Sequence, residues 1–337
     1  MTDGRSGARP AGAGHADARP MRILVTGAAG FIGRWVVGEL LAQGHEVLPI
    51  DNLVAGDVSA LDEFRGHAGL RPFEEGDVRD AAACRRWADG IDAIAHLAAS
   101  ISVQESIDDP GTTFENDVVG TFNVLEAARA VGARVLFMST CMVYDRAGDA
   151  GIDEDHLTKP ASPYAASKLS GEALTMSYFH AYGLPTTVVR PFNTYGPYQR
   201  SVGEGGVVAI FTRASLLGQE LRIYGDGTQT RDLLYVEDCA RFVTSALLAD
   251  TATGRILNAG TGHDVSVNEL AALIEPDPAR ITHVPHIHPQ SEIAVLRCDP
   301  RQAAATLGWR PEVDLPAGLG RVRDWMSSQL ATGATVR

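Results

Sequence analysis

The chain has 337 residues, of which 45% are hydrophobic and 21% are charged, and its formal net charge is -13. This length suffices for one large domain or two closely packed ones, and the negative charge argues against a nucleic-acid or anionic-membrane surface. The four cysteines are scattered without a C-x-x-C pair, so the sequence indicates a reducing, cytoplasmic location and neither a disulfide framework nor a zinc site.

The amino-terminal segment lacks an apolar core. Residues 1–20 are rich in Gly, Ala, Arg and Pro, so we expect a disordered tail that is not a secretory signal. No run in the sequence is long and apolar enough to predict a membrane span. We expect the folded unit to begin near Met21 and a frayed tail at 331–337.

A glycine-rich turn follows the first predicted strand. Arg22–Thr26 is a short apolar run typical of a buried strand, and residues 35–42 have a helical pattern. The order strand, glycine turn, helix predicts a dinucleotide site, because glycines let the backbone approach a pyrophosphate at the helix N-terminus. The residues of this turn that we expect to bind the cofactor are Gly27, Gly30, Phe31, Ile32 and Gly33.

An acidic residue ends the second predicted strand, at 46–50. Asp51 lies about 20 residues past the glycines, which suits a hydrogen bond to the adenosine ribose 2′-OH, and Asn52 follows it. A carboxylate there would repel a 2′-phosphate. The sequence therefore favours NAD over NADP as the cofactor.

Strand-like and helix-like patterns alternate through residues 22–190, which predicts an α/β fold with a doubly wound parallel (Rossmann) sheet. Loops at the carboxyl ends of such strands face the cofactor. Asp77 could accept a hydrogen bond from the adenine amino group, or could equally be a turn or helix-cap carboxylate. The further predicted strands are 70–73, 92–96, Arg134–Met138 and 185–189, and the clearest helices are 117–130 and Pro163–Tyr182. The further loop residues that we expect near the cofactor are Asp77, Val78, Leu97, Ala98 and Ala99.

The sequence changes in character after residue 190. Residues 191–197 are turn-rich and 203–206 form a glycine loop, and short strands are then predicted at Leu221–Tyr224 and 255–258 among helices. We therefore predict a disordered tail at 1–20, an NAD-binding Rossmann domain at 21–190 and a smaller substrate-binding lobe at 191–330, partly interleaved with the first.

Tyr164 and Lys168 are four residues apart on a predicted helix, so their side chains share one face. An ammonium there can lower the phenol pKa from about 10 and make a tyrosinate available near neutral pH. Such a base removes an alcohol proton without histidine. Thr140, at the end of the fifth strand, could hold a substrate oxygen beside it. Taken alone, the pair could also be an exposed helix pair, and Thr140 a strand cap.

The glycine turn, Asp51, Thr140, Tyr164 and Lys168, in this order, resemble the extended short-chain dehydrogenase/reductase family. Its members include NAD-dependent nucleotide-sugar epimerases, such as UDP-glucose 4-epimerases, and dehydratases. The resemblance covers about 22–325. It includes three motifs of the second lobe, which are Arg190-Pro-Phe-Asn193-Thr-Tyr-Gly-Pro197, Gly225-Asp-Gly-Thr-Gln-Thr-Arg231-Asp232 and Leu307-Gly-Trp309.

The resemblance implies a catalytic set of Thr140, Tyr164 and Lys168. Tyr164 would take the proton of the sugar C4 hydroxyl, Lys168 would lower the tyrosine pKa and bind the nicotinamide ribose, and Thr140 would bond O4. It also implies a nucleotide sugar, most often a UDP-sugar, and a homodimer formed by helices 117–130 and Pro163–Tyr182. The residues that it places near the substrate are Thr140, Cys141, Met142, Tyr164, Asn193, Val207, Val208, Tyr224 and Arg231.

Cys141 and Met142 are the first departure from the family. The 4,6-dehydratases carry an acid pair there, and UDP-glucuronate decarboxylases keep a glutamate at the second position. Because neither residue here has a carboxylate, the sequence favours 4-epimerisation through a transient 4-keto sugar. A dehydratase or decarboxylase stays open, since the Cys141 thiol could donate a proton. A non-catalytic NAD-binding regulator is a third interpretation, although such proteins usually lose the tyrosine or the lysine.

Two further departures concern Asp117 and the phosphate contacts. The family usually has asparagine at position 117, and Asn116 lies one residue early. It also usually has a second phosphate-binding arginine near 289–292, which this sequence lacks, so Arg297, His286 or His288 are left as candidates. We expect no metal site, because the histidines at 283, 286 and 288 are interrupted by prolines.

Overall fold

The protein is described here by a computed structural model that covers residues 19–145, 151–202, 205–285 and 293–332. The predicted tail at 1–20 lies almost wholly outside these ranges, as do His286, His288, residues 289–292 and most of the predicted carboxyl-terminal tail. No helix within these ranges is long and apolar enough to cross a bilayer.

The described residues form strands in two regions of the molecule and helices around them. The strands are β1 (Arg22–Thr26), β2 (Glu46–Asp51), β3 (Glu74–Glu75), β4 (Ala93–His96), β5 (Arg134–Met138), β6 (Thr186–Pro191), β7 (Asn193–Tyr195), β8 (Leu221–Tyr224), β9 (Thr230–Tyr235), β10 (Ile256–Ala259), β11 (Asp264–Ser266), β12 (Ile281–Val284) and β13 (Val295–Leu296). The helices are α1 (Phe31–Ala42), α2 (Ala81–Trp87), α3 (Val103–Asp108), α4 (Pro110–Phe114), α5 (Gly120–Val131), α6 (Pro163–Tyr182), α7 (Val207–Leu216), α8 (Val236–Leu248), α9 (Val267–Ile274), α10 (Arg301–Leu307) and α11 (Leu315–Ala331).

The larger region is a parallel seven-stranded sheet in the order β10-β6-β5-β4-β1-β2-β3. Its strands read as continuous apolar runs because helices cover both faces. Helices α1 and α8 pack on one face, through residues such as Val36 and Phe242. Helices α2, α5 and α6 pack on the other face, through residues such as Val124 and Tyr178. The predicted doubly wound sheet is confirmed.

The order in which the strands are added to the sheet reverses at β1. Strands β2 and β3 follow on one side of β1, and β4, β5 and β6 follow on the other. The carboxyl ends of β1 and β4 therefore border the crevice where such sheets bind ligands.

The smaller region contains β7, β9, β11 and β13 in one sheet and a β8–β12 pair. Helices α7, α9 and α11 pack around it in a separate apolar cluster.

Two sequence predictions are corrected by the strand pairing. The strand expected at 255–258 in the second lobe is β10, which pairs in parallel with β6 at the edge of the large sheet. The strand expected at 70–73 is reduced to a single bridge between Val47 and Leu70, and the third strand is β3 instead. Pro72 explains the second difference, because proline has no N–H for the ladder.

Candidate active site

The glycine turn connects β1 to α1. Gly27 has a left-handed φ of 72°. A Cβ on Gly27 would lie 2.8 Å from the Ala98 nitrogen, and a Cβ on Gly33 would lie 1.9 Å from the Gly27 carbonyl oxygen. The turn at Gly27 and the first turn of α1 at Gly33 therefore pack directly on backbone, and only glycine fits at both positions. Gly30 is the N-cap of α1, and no side chain among the described residues caps this end of the helix. The N–H groups of Phe31, Ile32 and Gly33 therefore lie at an uncapped helix N-terminus.

The acid predicted for the ribose lies against this turn. One Asp51 carboxylate oxygen accepts a hydrogen bond from the Ala29 nitrogen at 3.0 Å, and the other accepts from the Leu53 nitrogen at 2.8 Å. Burial raises the pKa of Asp51, and these backbone donors oppose that shift. The backbone bonds hold the carboxylate at the end of β2, as the sequence predicts.

Asp77 stabilises a turn with its carboxylate, which is one of the two roles that the sequence predicts for it. Its carboxylate accepts from the Arg79 nitrogen at 2.8 Å, from the Arg79 guanidinium at 2.7 Å and from the Asn52 amide at 3.2 Å. The side-chain bond from Arg79 is the main cause that lowers the pKa of Asp77 to about 2. The cap of α2 is Asp80. Val78 is buried, and contact of either Asp77 or Val78 with adenine stays a prediction.

The loop after β4 lies beside the glycine turn. The Leu97 nitrogen donates to the Thr26 carbonyl, and the Ala98 nitrogen donates to the Thr26 hydroxyl at 3.2 Å. Ala99 follows them. His96 is fully buried below, and burial lowers its pKa to about 3, so its imidazole is neutral.

Thr140, Tyr164 and Lys168 are brought together by the end of β5 and the first turns of α6. Thr140 caps the turn at Cys141–Val143 and accepts from the Met142 nitrogen at 3.2 Å. Its side chain also hydrogen-bonds to Tyr164. The Lys168 ammonium donates to the carbonyl of Met138, the last residue of β5, at 2.8 Å. The predicted catalytic set therefore shares one buried site.

The electrostatics of Tyr164 differ from the sequence prediction. Burial is the first cause that raises its pKa, Asp117 adds to that, and the Thr140 hydrogen bond opposes them. The pKa of Lys168 is lowered, mainly by burial. Burial and Asp117 therefore set the direction in which the Tyr164 pKa moves, while the Lys168 ammonium bonds to the Met138 carbonyl.

Cys141 and Met142 line an apolar wall next to Thr140. Cys141 is 3% exposed and packs with Phe192 and Ile293, and Met142 packs on the same cluster. Burial raises the pKa of Cys141 to about 12, while Arg231 opposes this shift. The thiol is therefore protonated at neutral pH.

The second lobe contributes the predicted substrate residues unequally. Asn193 opens β7, and its side-chain oxygen is buried with no hydrogen-bond partner among the described residues. Val207 begins α7 and is half-buried, whereas Val208 is 1% exposed and packs in the lobe's core. Neighbouring residues point about 100° apart on a helix, and contact of Val207 or Val208 with the ligand stays a prediction. Tyr224 ends β8 and is exposed.

Arg231 and Asp232 point in opposite directions on β9. The Arg231 guanidinium donates to the Ile293 carbonyl at 2.9 Å. Its positive charge also opposes the rise in the pKa of the Cys141 thiol. Asp232 is fully buried and accepts from the Thr261 and Gly262 nitrogens at 2.8 and 2.9 Å. Arg231 is therefore directed toward the Cys141 wall, and Asp232 toward the opposite face of β9. Phosphate binding by Arg231 stays a prediction.

Among the alternatives for the second phosphate contact, Arg297 lies 3.8 Å from the Asp264 carboxylate. Residue 296 is the one that pairs with Arg231, so Arg297 points to the other face of the strands. This placement weighs against Arg297. Among the described residues, no three His, Cys, Asp or Glu side chains are grouped to hold a metal ion.

The sequence did not predict a buried ion pair that contacts Ser139, the residue before Thr140. The Arg190 guanidinium donates to both Glu172 carboxylate oxygens, at 2.8 and 2.5 Å, and to the Tyr144 hydroxyl at 2.8 Å. The Ser139 hydroxyl donates to the same carboxylate. Glu172 lies four residues after Lys168 on α6, so helical spacing was the signal that could have placed it on the catalytic face.

Known proteins are similar to this chain over most of its length. The model of the NAD dependent epimerase/dehydratase family matches residues 23–260. The UDP-glucose 4-epimerase of Mycolicibacterium smegmatis is 37% identical over 320 residues, which cover 92% of this chain and 99% of that protein. Relatives named as decarboxylases and dehydratases are also more than 30% identical over at least 90% of this chain.

Two solved structures extend the comparison. Pal from Bacillus thuringiensis is 51% identical, with a TM-score of 0.90 and coverage of 91% of this chain and 99% of that one. DesIV from Streptomyces venezuelae, a dTDP-glucose 4,6-dehydratase with NAD and TYD bound, is 32% identical, with a TM-score of 0.86 and coverage of 93% and 98%. The sequence likeness and the shared fold thus extend over nearly the whole described chain.

Proposed function

This chain belongs to the NAD-dependent epimerase/dehydratase family, and we propose that within it the chain is a nucleotide-sugar 4-epimerase that acts on a UDP-sugar through a transient 4-keto sugar. The curated relative with 37% identity is named as a UDP-glucose 4-epimerase, which supports this choice of reaction and of nucleotide.

The residues of the first domain fit NAD. Gly27 and Gly33 let the turn pack closely on neighbouring backbone where a side chain would collide, and the uncapped N-terminus of α1 offers N–H groups to a diphosphate. The Asp51 carboxylate suits a ribose diol and disfavours a 2′-phosphate. When bound, NAD supplies the chemistry of taking up and returning a hydride at the sugar C4.

The chain's own residues supply the proton chemistry. The Tyr164 hydroxyl, once ionised, would take the proton of the C4 hydroxyl and would later return it. The Thr140 hydroxyl would hold the same sugar oxygen, since it already hydrogen-bonds to Tyr164. Lys168 would hold a positive charge beside the forming tyrosinate and orient the nicotinamide ribose. A general base of this kind contributes about 10²- to 10⁴-fold to the rate.

One observation carries the choice of epimerisation. The two residues after Thr140 form an apolar wall with Phe192, and neither has a carboxylate to remove a proton from C5. The 4-keto sugar would therefore remain intact until it takes the hydride back. For inversion, the ketone must turn so that its other face receives that hydride.

The test is a panel of UDP-, dTDP- and GDP-sugars incubated with the NAD-loaded protein, with products resolved by mass and NMR. We expect a product of unchanged mass that is inverted at C4, and the same equilibrium mixture from either epimer. Tyr164→Phe should slow this conversion by at least about 10²-fold. Tyr178→Phe is the matched control, because Tyr178 is a buried tyrosine on the same helix whose hydroxyl bonds to Glu126. Turnover in Tyr164→Phe at close to the unsubstituted rate would contradict the assignment of the base.

Dehydration is the second candidate, and the protonated Cys141 thiol supports it. The Cys141 thiol, which keeps its proton, could donate it to the C6 hydroxyl, which would leave as water, and the resulting thiolate could take the C5 proton that the 4-ketone acidifies. Its product would be lighter by one water. Cys141→Ala should then stop turnover, whereas Cys239→Ala should not, because Cys239 is an equally buried thiol in the sheet core. Full turnover by Cys141→Ala would remove this candidate.

A further inference from the structure

Asp117 is a buried acid beside the proposed base. It lies in a π-helical turn at Glu115–Val119, between α4 and α5, and is 1% exposed. Single π turns often mark functional positions, because the extra residue redirects side chains. A charge in so buried a place needs partners, since an unpaired one would cost several kcal/mol.

The Asp117 carboxylate joins the β4 loop to the catalytic helix. One oxygen accepts from the Ser100 nitrogen at 2.7 Å and from the Asn116 amide at 3.3 Å. The other accepts from the Ser167 hydroxyl at 2.8 Å. Ser167 lies between Tyr164 and Lys168 on α6. The carboxylate is therefore held by three donors, two of them from neighbouring elements.

The charged and titratable groups near Asp117 come from two elements. Helix α6 contributes Lys168 and Tyr164, and also Glu172, which acts on Lys168. Strand β4 contributes His96, which is neutral and hydrogen-bonds to the Thr121 hydroxyl, the donor to the Asp117 carbonyl. Lys168 is thus the cation in this group, and Asp117 is the negative charge that acts on both Lys168 and Tyr164.

We propose that Asp117 is a positioning residue that provides the counter-charge of Lys168 and, through that charge, sets the pH at which Tyr164 becomes a tyrosinate. The inference deepens the proposed function, on which it rests for the use of the tyrosinate as base. An uncharged asparagine at this position would give the lysine no such partner.

The charge of Asp117 determines the direction in which the pKa of Tyr164 changes. A negative carboxylate disfavours a second negative charge on the phenol, so Asp117 shifts ionisation of Tyr164 to higher pH. Burial and Cys141 act in the same direction, and the Thr140 hydrogen bond acts against them. Removal of the Asp117 charge should therefore make the tyrosinate form at lower pH, provided that Lys168 keeps its proton. Glu172 remains to support that proton.

Asp117→Asn removes the charge and retains the contacts. The amide oxygen can still accept from Ser100. The amide nitrogen can donate to the Ser167 hydroxyl, which then donates to the Tyr164 carbonyl, 2.8 Å away. Every group of the carboxylate's network keeps a partner, so the substitution isolates charge from geometry.

The experiment is a spectroscopic titration of tyrosinate absorbance in the NAD-loaded protein. The chain has 8 tyrosines, so the signal of Tyr164 is taken as the difference between each protein and its Tyr164→Phe counterpart. We expect the Tyr164 signal in Asp117→Asn to appear roughly one pH unit lower than in the unsubstituted protein, the scale expected for a nearby charge.

Ser167→Ala is the control, because it removes the bond to the helix and leaves the Asp117 charge in place. We expect its Tyr164 titration to coincide with that of the unsubstituted protein. The proposal is overturned if Asp117→Asn does not lower the titration, if no Tyr164 signal appears before near-ultraviolet circular dichroism is lost, or if Ser167→Ala shifts it equally. Since the titration needs no turnover, it can fail while the epimerase assay succeeds, and the reverse.

Discussion

The buried pair of Glu172 and Arg190 offers a stability prediction with a defined size. Their side chains are 3% and 4% exposed, and the guanidinium bonds to both carboxylate oxygens. Glu172→Ala leaves the Arg190 charge buried, with the Tyr144 hydroxyl as its one close side-chain partner among the described residues. Loss of one partner of a buried pair costs about 3–5 kcal/mol, because the other charge remains desolvated.

The same substitution also removes the acceptor of the Ser139 hydroxyl, next to Thr140. A buried donor without a partner adds about 1–3 kcal/mol if no water replaces the carboxylate. We therefore expect Glu172→Ala to lower the free energy of unfolding by at least about 3 kcal/mol. At roughly 2 °C per kcal/mol for a large domain, the melting temperature should fall by about 6 °C or more.

The assay is thermal unfolding followed by circular dichroism, at fixed protein and NAD concentrations, because ligand binding shifts the melting temperature. Arg301→Ala is the control. Arg301 pairs with Asp299 at 2.5 Å, but its side chain is 86% exposed. Exposed pairs contribute about 0–1 kcal/mol, so this variant should melt within about 2 °C of the unsubstituted protein. The reasoning is refuted if the two variants melt at the same temperature.

Three further predictions concern the cofactor, the base and assembly. Gly33→Ala should lose bound NAD, measured by its absorbance in the purified protein, because the new Cβ would lie 1.9 Å from the Gly27 carbonyl oxygen; undiminished NAD content would count against the predicted turn. Tyr164→Phe should lower kcat by at least about 10²-fold while NAD content is unchanged, since only the base is lost; a small loss would point to another base. Phe122 is 45% exposed on α5, so Phe122→Glu should convert the proposed homodimer to a monomer in light scattering, and a parent protein that is already monomeric would refute this interface.

The sequence predicts the strands and helices whose bounds depend on local patterns of residues. The strand Arg22–Thr26, the strand Arg134–Met138 and the helix Pro163–Tyr182 have the predicted bounds, because continuous apolar runs and a Ser-Pro start define them. The pairing of β10 with β6 could not be predicted in this way. A short apolar run does not indicate which sheet it joins, since that depends on contacts distant in sequence.

The candidate site shows the same division. The glycine turn and Asp51 could be predicted from the sequence because their chemistry requires a fixed order along the chain. The distinction between Val207 and Val208 needed the helix orientation. The raised pKa of Tyr164 needed its burial and the Asp117 charge, neither of which is visible in a Tyr-x-x-x-Lys spacing.

The most direct test of the central claim follows a label at the carbon that is oxidised. UDP-glucose deuterated at C4 is incubated with the NAD-loaded protein, and the product is examined by mass and NMR. We predict a UDP-sugar of unchanged mass, inverted at C4, with deuterium still on C4. A product that has lost water, or that has lost deuterium from C4, would contradict simple return of the hydride.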